Sequence, residues 1–144
     1  MTLPVELLDS EALDGEQVLV AWLQPLRATA IARVTGDPLP FTLIGQVGGH
    51  EDPIYGTADL MLQVDTLTDR NLGYEAARTE MRLTKRRMNQ LIVHNDTFTL
   101  VDGTEVGVDY CSVAESPRFL LYEDAQILRT MGRYDIGLYY VPAT

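Results

Sequence analysis

Cysteine occurs once among the 144 residues, as Cys111, so no disulfide can close within the chain. In the alternating run GVDYCSVAE that position predicts a buried, inert thiol. Nowhere do eighteen apolar residues follow one another, which leaves no candidate for a membrane-spanning helix. Bases are scarce: eleven face twenty-one acids, for a formal net charge of -10. A protein that holds nucleic acid across its whole surface needs Lys and Arg in excess, so that class is disfavoured. The opening residues MTLPVELLDSEALDGE lack the basic start of a secretory signal, and folding in a cytoplasm is expected. Signatures of catalysis and cofactor binding are missing as well, with no GxGxxG, P-loop, HExxH, GxSxG or CxxC. No cofactor and no enzymatic activity are expected.

What is present fits one domain over residues 1–144: a length sufficient for one core, no repeat and no low-complexity linker. Asp14, with Gln17 three residues on, resembles a capping box and predicts a helix at about 14–24, ended by Pro25. Val18, Val20 and Trp22 would suit a strand equally well by propensity. The run ATAIARVTGDPLPFTLIGQVGG holds two β-rich segments around Gly36, Asp37, Pro38 and Pro40, which predicts a hairpin. Gly48, Gly49, His50, Glu51, Asp52, Pro53, Ile54, Tyr55, Gly56 and Thr57 then predict a long exposed loop, and DLMLQVDTL a third strand.

At about 70–93, Tyr74, Ala77, Met81, Thr84, Met88 and Leu91 recur at three- and four-residue steps, the stripe of a helix lying on a sheet. Asp102-Gly103 in TFTLVDGTEVGVDYCSV signals a hairpin with a type I′ turn. PRFLLYED is expected as a loop, and AQILRTMGRYDIGLYYV as a long last strand bulged at Gly132. The order α-β-β-β-α-β-β-β defines an α+β domain, a mainly antiparallel sheet packed against two helices.

Candidate chemical groups are few. HEDP at residues 50–53 could offer metal ligands, but adjacent residues rarely face one ion. Asp102, Glu105 and Asp109 could imitate a carboxylate pair, although a turn residue and solvated acids account for them. His94 near a helix C-terminus has a plain electrostatic reason to be there. The outstanding feature is basic. Arg78, Arg82, Lys85, Arg86 and Arg87 fall within ten positions of the second helix, giving residues 73–94 a charge of +3 against Glu75 and Glu80 and leaving -13 on the other 122 residues. Like charges at i, i+4 destabilise an isolated helix by about 0.2–0.5 kcal/mol per pair, so something outside the helix should offset Arg78, Arg82 and Arg86. Solvent and the chain's own acidic loops, an acidic face on an identical neighbour, or a phosphate backbone could each do so.

The phrases VLVAWLQPL, GDPLPFTLIGQVGGHEDP, VDTLTD, KRRM and ESPRFLLYEDAQILRTMGRYDIGL resemble tail terminator proteins of long, flexible-tailed bacteriophages, especially those infecting actinobacteria. The similarity runs over residues 13–138. It implies a non-catalytic virion protein with an α+β subunit, assembled in the host cytoplasm as a homo-oligomer, usually a six-membered ring, in the neck of the tail. Such a ring sits on the finished end of the tube of major tail protein, stops its growth and presents the surface that joins the head-tail connector, while DNA passes through without sequence-specific binding. A head-side connector ring is the nearest alternative, and a nucleic-acid-binding module a more distant one. Within that picture Arg78, Arg82, Lys85, Arg86 and Arg87 are expected at a subunit interface, and residues 48–57 at a contact with tube or connector.

Overall fold

The computed structural model describes residues 5–95 and 97–143. In chain order the elements are β1 (Ser10–Glu11), α1 (Gly15–Leu23), β2 (Ala28–Ala30), β3 (Phe41–Asp52), β4 (Thr57–Asp69), α2 (Gly73–His94), β5 (Phe98–Thr99), β6 (Glu105–Val106), β7 (Val108–Leu120), β8 (Ile127–Tyr139) and β9 (Val141–Pro142). Five strands form the main sheet in the order β2-β3-β4-β8-β7, antiparallel except at β2–β3. Both helices pack on one of its faces, and the expected α+β class is what the chain adopts.

Asp14 accepts a hydrogen bond from the Glu16 backbone N–H at 3.0 Å and so caps α1. α2 follows a single 3-10 turn at Arg70–Leu72 and ends at Asn95, whose left-handed backbone (φ 51°) and side-chain bond to the Val108 carbonyl (2.7 Å) close the last turn. Its buried residues are Ala77, Thr84, Met88 and Leu91, the inner part of the stripe legible in the sequence. Between helices and sheet lies the core, where Leu19 and Leu23 of α1 and Met88 and Leu91 of α2 meet Leu62, Tyr134, Ile136 and Leu138. The register places α1 over the β3 side of the sheet and α2 over β4, β8 and β7. Gln46 donates to Glu16 at the start of α1, and Thr42 lies against Arg27 beyond its end.

Five local expectations are corrected. Residues 28–49 do not make a hairpin: Ala28 pairs with Phe41 and Ala30 with Leu43 in parallel. The intervening segment turns back on itself, held by Asp37, whose carboxylate accepts from the Val34 N–H at 2.9 Å. Residues 48–57 are not a long loop, because β3 and β4 continue through them from Gly48↔Met61 to Asp52↔Thr57. Their glycines serve the sheet. Gly49, at φ 125°, has no room for a side chain against the Asp59 carbonyl, next to the register shift between Gln46 and Gly48.

The PRFLLYED segment is likewise part strand, since β7 runs through Pro117 to Leu120. Proline is tolerated there because β7 is an outer strand whose register breaks between Glu115 and Arg118. Gly132 is no bulge: β8 stays in unbroken register with β4 across it, and the irregularity belongs to β7 opposite. A Cβ at Gly132 would lie 2.8 Å from the Pro117 ring, so the glycine makes room for the proline. Lastly, the turn at residues 100–103 is not type I′, as Gly103 alone takes positive φ (88°) while Asp102 accepts from the Thr104 N–H at 2.9 Å. That hairpin, β5–β6, stands outside the main sheet.

Candidate assembly surfaces

The five bases of α2 separate into two groups. Arg87 turns toward α1, where its guanidinium carbon lies 3.6 Å from the Trp22 ring centroid and its Nε donates to the Trp22 carbonyl at 2.8 Å. The Trp22 indole returns a bond to the Arg87 carbonyl at 3.0 Å. Arg87 is thus a fastener between the helices. Arg78, Arg82 and Arg86 are exposed and Lys85 is half-buried. Arg78 reaches Glu75 only at 3.7 Å, Arg82 reaches Thr79 at 3.4 Å, and Lys85 and Arg86 make no hydrogen bond or ion pair among the described residues. A row of like charges with so little intramolecular compensation has Coulomb energy available to an outside acid.

Beside this row runs an open groove of ≈ 370 Å³ between α2 and the segment that follows α1, lined by Pro25, Leu26, Leu83, Arg86, Arg87 and Gln90. Leu83 is among the exposed large apolar residues. The groove combines apolar walls with a positive rim.

An arginine that the sequence did not single out is compensated inside the subunit. Arg27 is buried: it meets Glu80 of α2 at 2.7 Å, and donates to Thr42 Oγ1 at 3.0 Å and Thr84 Oγ1 at 2.6 Å. This network ties the start of β2 to β3 and α2. Thr84, a polar residue inside the apolar stripe of α2, is the only trace of it in the sequence.

The sheet face turned away from the helices holds a second, smaller apolar cluster, Phe41, Leu67 and Ile127, and beside it charges that are largely self-compensated. Arg129 pairs with Asp65 at 3.2 Å, Arg133 with Glu115 at 3.4 Å, and Arg118 with Glu115 at 3.4 Å. Burial raises the Asp65 carboxyl above its ordinary pKa, although Arg129 and Gln63 pull the other way. Toward the β3–β4 turn, a pocket of ≈ 270 Å³ brings together His50, Asp59, Tyr110 and Asp135. Both oxygens of Asp59 are engaged there, one by the Tyr110 hydroxyl at 2.6 Å and the other by His50 Nε2 at 3.4 Å. The Tyr110 hydroxyl is pushed up to about 12, chiefly by that bond to Asp59, and stays protonated. Among the described residues no three His, Cys, Asp or Glu side chains converge as a metal site. In HEDP this follows from the pleat, because His50 and Glu51 are successive residues of β3 and point to opposite faces.

The acids at 102, 105 and 109 do not form a pair either. Asp102 is a turn residue whose pKa is lowered by the backbone N–H of Thr104, Glu105 is exposed, and Asp109 accepts from the Tyr139 hydroxyl at 2.8 Å. Cys111 is buried, and burial pushes its thiol up to about 12.

The β3–β4 turn projects from the opposite end of the sheet to the Arg27 network. Asp52 holds it closed: its carboxylate accepts from the N–H groups of Ile54 (3.1 Å) and Tyr55 (3.3 Å), and its carbonyl from Gly56 (2.8 Å). Ile54 and Tyr55 are left 90% and 81% exposed at the tip. The turn is thus closed, and it presents two large apolar side chains to water.

Comparison with known proteins finds no family model that matches the chain and no curated protein that matches it.

Proposed function

We propose that this protein is a structural ring subunit of a phage tail, of the tail-terminator type: it associates head to tail on the finished end of the tube, ends its growth and offers the surface for head joining. The observation that carries the oligomeric part is the distribution of charge. α2 exposes Arg78, Arg82 and Arg86 with little compensation inside the subunit, while nineteen of the twenty-one acids lie elsewhere in the chain. Opposite charges on different surfaces of one molecule favour heterologous association, which makes a ring when the rotation closes. The resemblance of residues 13–138 to tail terminators supplies the tail end as the place of assembly, and a helix-backed sheet is the subunit it implies. A structural role also suits the pocket at His50 and Asp59, where each oxygen of Asp59 already has a partner.

Electron microscopy of the purified protein mixed with preformed tail tubes of the same phage tests the proposal. Rings capping one end of the tubes are the expected result. Bare tubes, with the protein bound instead to tailless heads, would move it to the connector side of the joint. Reversing Arg82 and Arg86 to Glu should abolish capping at low salt while the subunit stays folded.

A further inference from the structure

Both surfaces that the sequence singled out, the basic helix and the segment at residues 48–57, can be halves of one contact. We propose that the β3–β4 tip of one copy seats in the groove between Pro25–Leu26 and α2 of a second copy. Ile54 and Tyr55 then lie against Leu26 and Leu83, and Glu51 faces Arg86. The inference rests on the ring reading above and specifies its subunit contact.

Three observations select this occupant. The first is charge. Glu51 is exposed and Asp52 stands beside it, whereas the groove is rimmed by Arg86, with Arg82 one turn away. A second open pocket, of ≈ 320 Å³ along α1, has suitable apolar walls in Val20, Ala21 and Val101, but Asp102 lines it and would repel an acidic tip. The second is chemistry and order. Two large apolar side chains stand on a turn already closed by Asp52, so little conformational freedom remains to be lost on docking.

The third is distance. Arg27, next in sequence to Leu26, contacts Thr42 near the start of β3, while the tip follows Asp52 at its end. Ten strand residues at about 3.3 Å each separate the two levels by about 33 Å. A tip therefore cannot fill the groove of its own subunit. Since tip and groove are different patches, the contact can repeat from copy to copy and generate a chain or a ring.

Paired cysteine substitutions test the contact directly. Tyr55→Cys and Leu83→Cys are placed together in one chain, and the concentrated protein is treated with a mild oxidant; buried Cys111 stays silent. A ladder of disulfide-linked species extending beyond the dimer on a non-reducing gel is expected. Tyr55→Cys with Val101→Cys, which samples the α1 pocket instead, should give none. No ladder, a ladder that stops at the dimer, or an equal ladder from the Val101 pair would overturn the proposal. Charge exchange is the second arm: Glu51→Arg alone and Arg86→Glu alone should each suppress the ladder, and the two together should restore it. Failure to restore it would overturn the assignment of Glu51 to Arg86. Capping of tubes by the wild-type protein is scored separately, so rings without the ladder would reject this contact and leave the ring reading standing. A ladder without capping would do the reverse.

Discussion

Trp22 and Arg87 hold each other by three contacts: an indole N–H to the Arg87 carbonyl, the Arg87 Nε to the Trp22 carbonyl, and the guanidinium over the ring at 3.6 Å. The pair joins α1 to α2 across 65 residues of sequence. It also divides one apparently uniform basic run into an internal base and outward ones.

Stability should reveal that division. Arg87→Ala should lower the free energy of unfolding by about 2 kcal/mol, from the lost cation–π contact and hydrogen bond. Arg82→Ala and Arg86→Ala should stay within about 0.5 kcal/mol of the wild type. Urea unfolding of the three variants checks this, and equal losses for all three would contradict the assignment.

Arg27→Ala should be more damaging. It leaves Glu80, Thr42 and Thr84 without their shared donor at a largely buried place, where Glu80 keeps 23% of its side chain exposed, and the loss should come to about 2–3 kcal/mol, below that of a fully buried pair. Arg27→Met, which retains volume and an apolar stem, should recover little while Glu80 is present. The double change to Met at 27 and Gln at 80 should be milder than Arg27→Met alone, as read by thermal unfolding.

Asp65 gives a pH dependence of unusual sign for an acid. Its folded pKa is raised above the unfolded value of 3.8. Above the folded pKa the charged carboxylate therefore opposes folding, and below it the native state binds the proton more readily than the unfolded chain does. Lowering the pH from 6 toward 4 should thus improve the wild type relative to Asp65→Asn. Urea titrations of both proteins across that range measure the difference, and a gap that moves the other way would reject the burial argument.

Gly132 and Pro117 should be energetically coupled. Gly132→Ala places a methyl 2.8 Å from the Pro117 ring, and crowding of this kind costs about 1–3 kcal/mol. Pro117→Ala should remove most of that penalty, and a double-mutant cycle on unfolding free energies would show the coupling.

The tip variant Ile54→Ser with Tyr55→Ser should retain wild-type unfolding, because both side chains stand in water, and should lose capping of tail tubes. Retained capping would remove the tip from assembly.

α1 and α2 were legible in the sequence because their determinants are local: a capping Asp14, and a stripe that recurs with the helical period. The long strands β4 and β8 were legible through alternation and flanking turns. The parallel pairing of β2 with β3 was not, since nothing in either segment states which direction its partner runs. Gly48 and Gly49 misled because glycine marks close packing in a sheet as readily as slack in a loop, and only the nearness of Asp59 separates the two. Arg27 was hidden for a related reason. A lone arginine reads as solvated until the threonines and the glutamate that receive it are brought together from two distant segments, β3 and α2. The outward bases and the tip, by contrast, were visible as composition, and folding supplied their separation.

β7 ends the sheet with a strand of thirteen residues whose outer side meets no other strand among the described residues. Such an edge invites pairing with any passing chain, yet here Pro117 and repeated breaks in register make it a poor template. Copies are thereby discouraged from zipping together through their backbones into fibres of indefinite length. In the ring proposed above, adhesion would then fall to side chains, which would make the joint between neighbours sensitive to ionic strength and let a misplaced subunit leave before the assembly is locked.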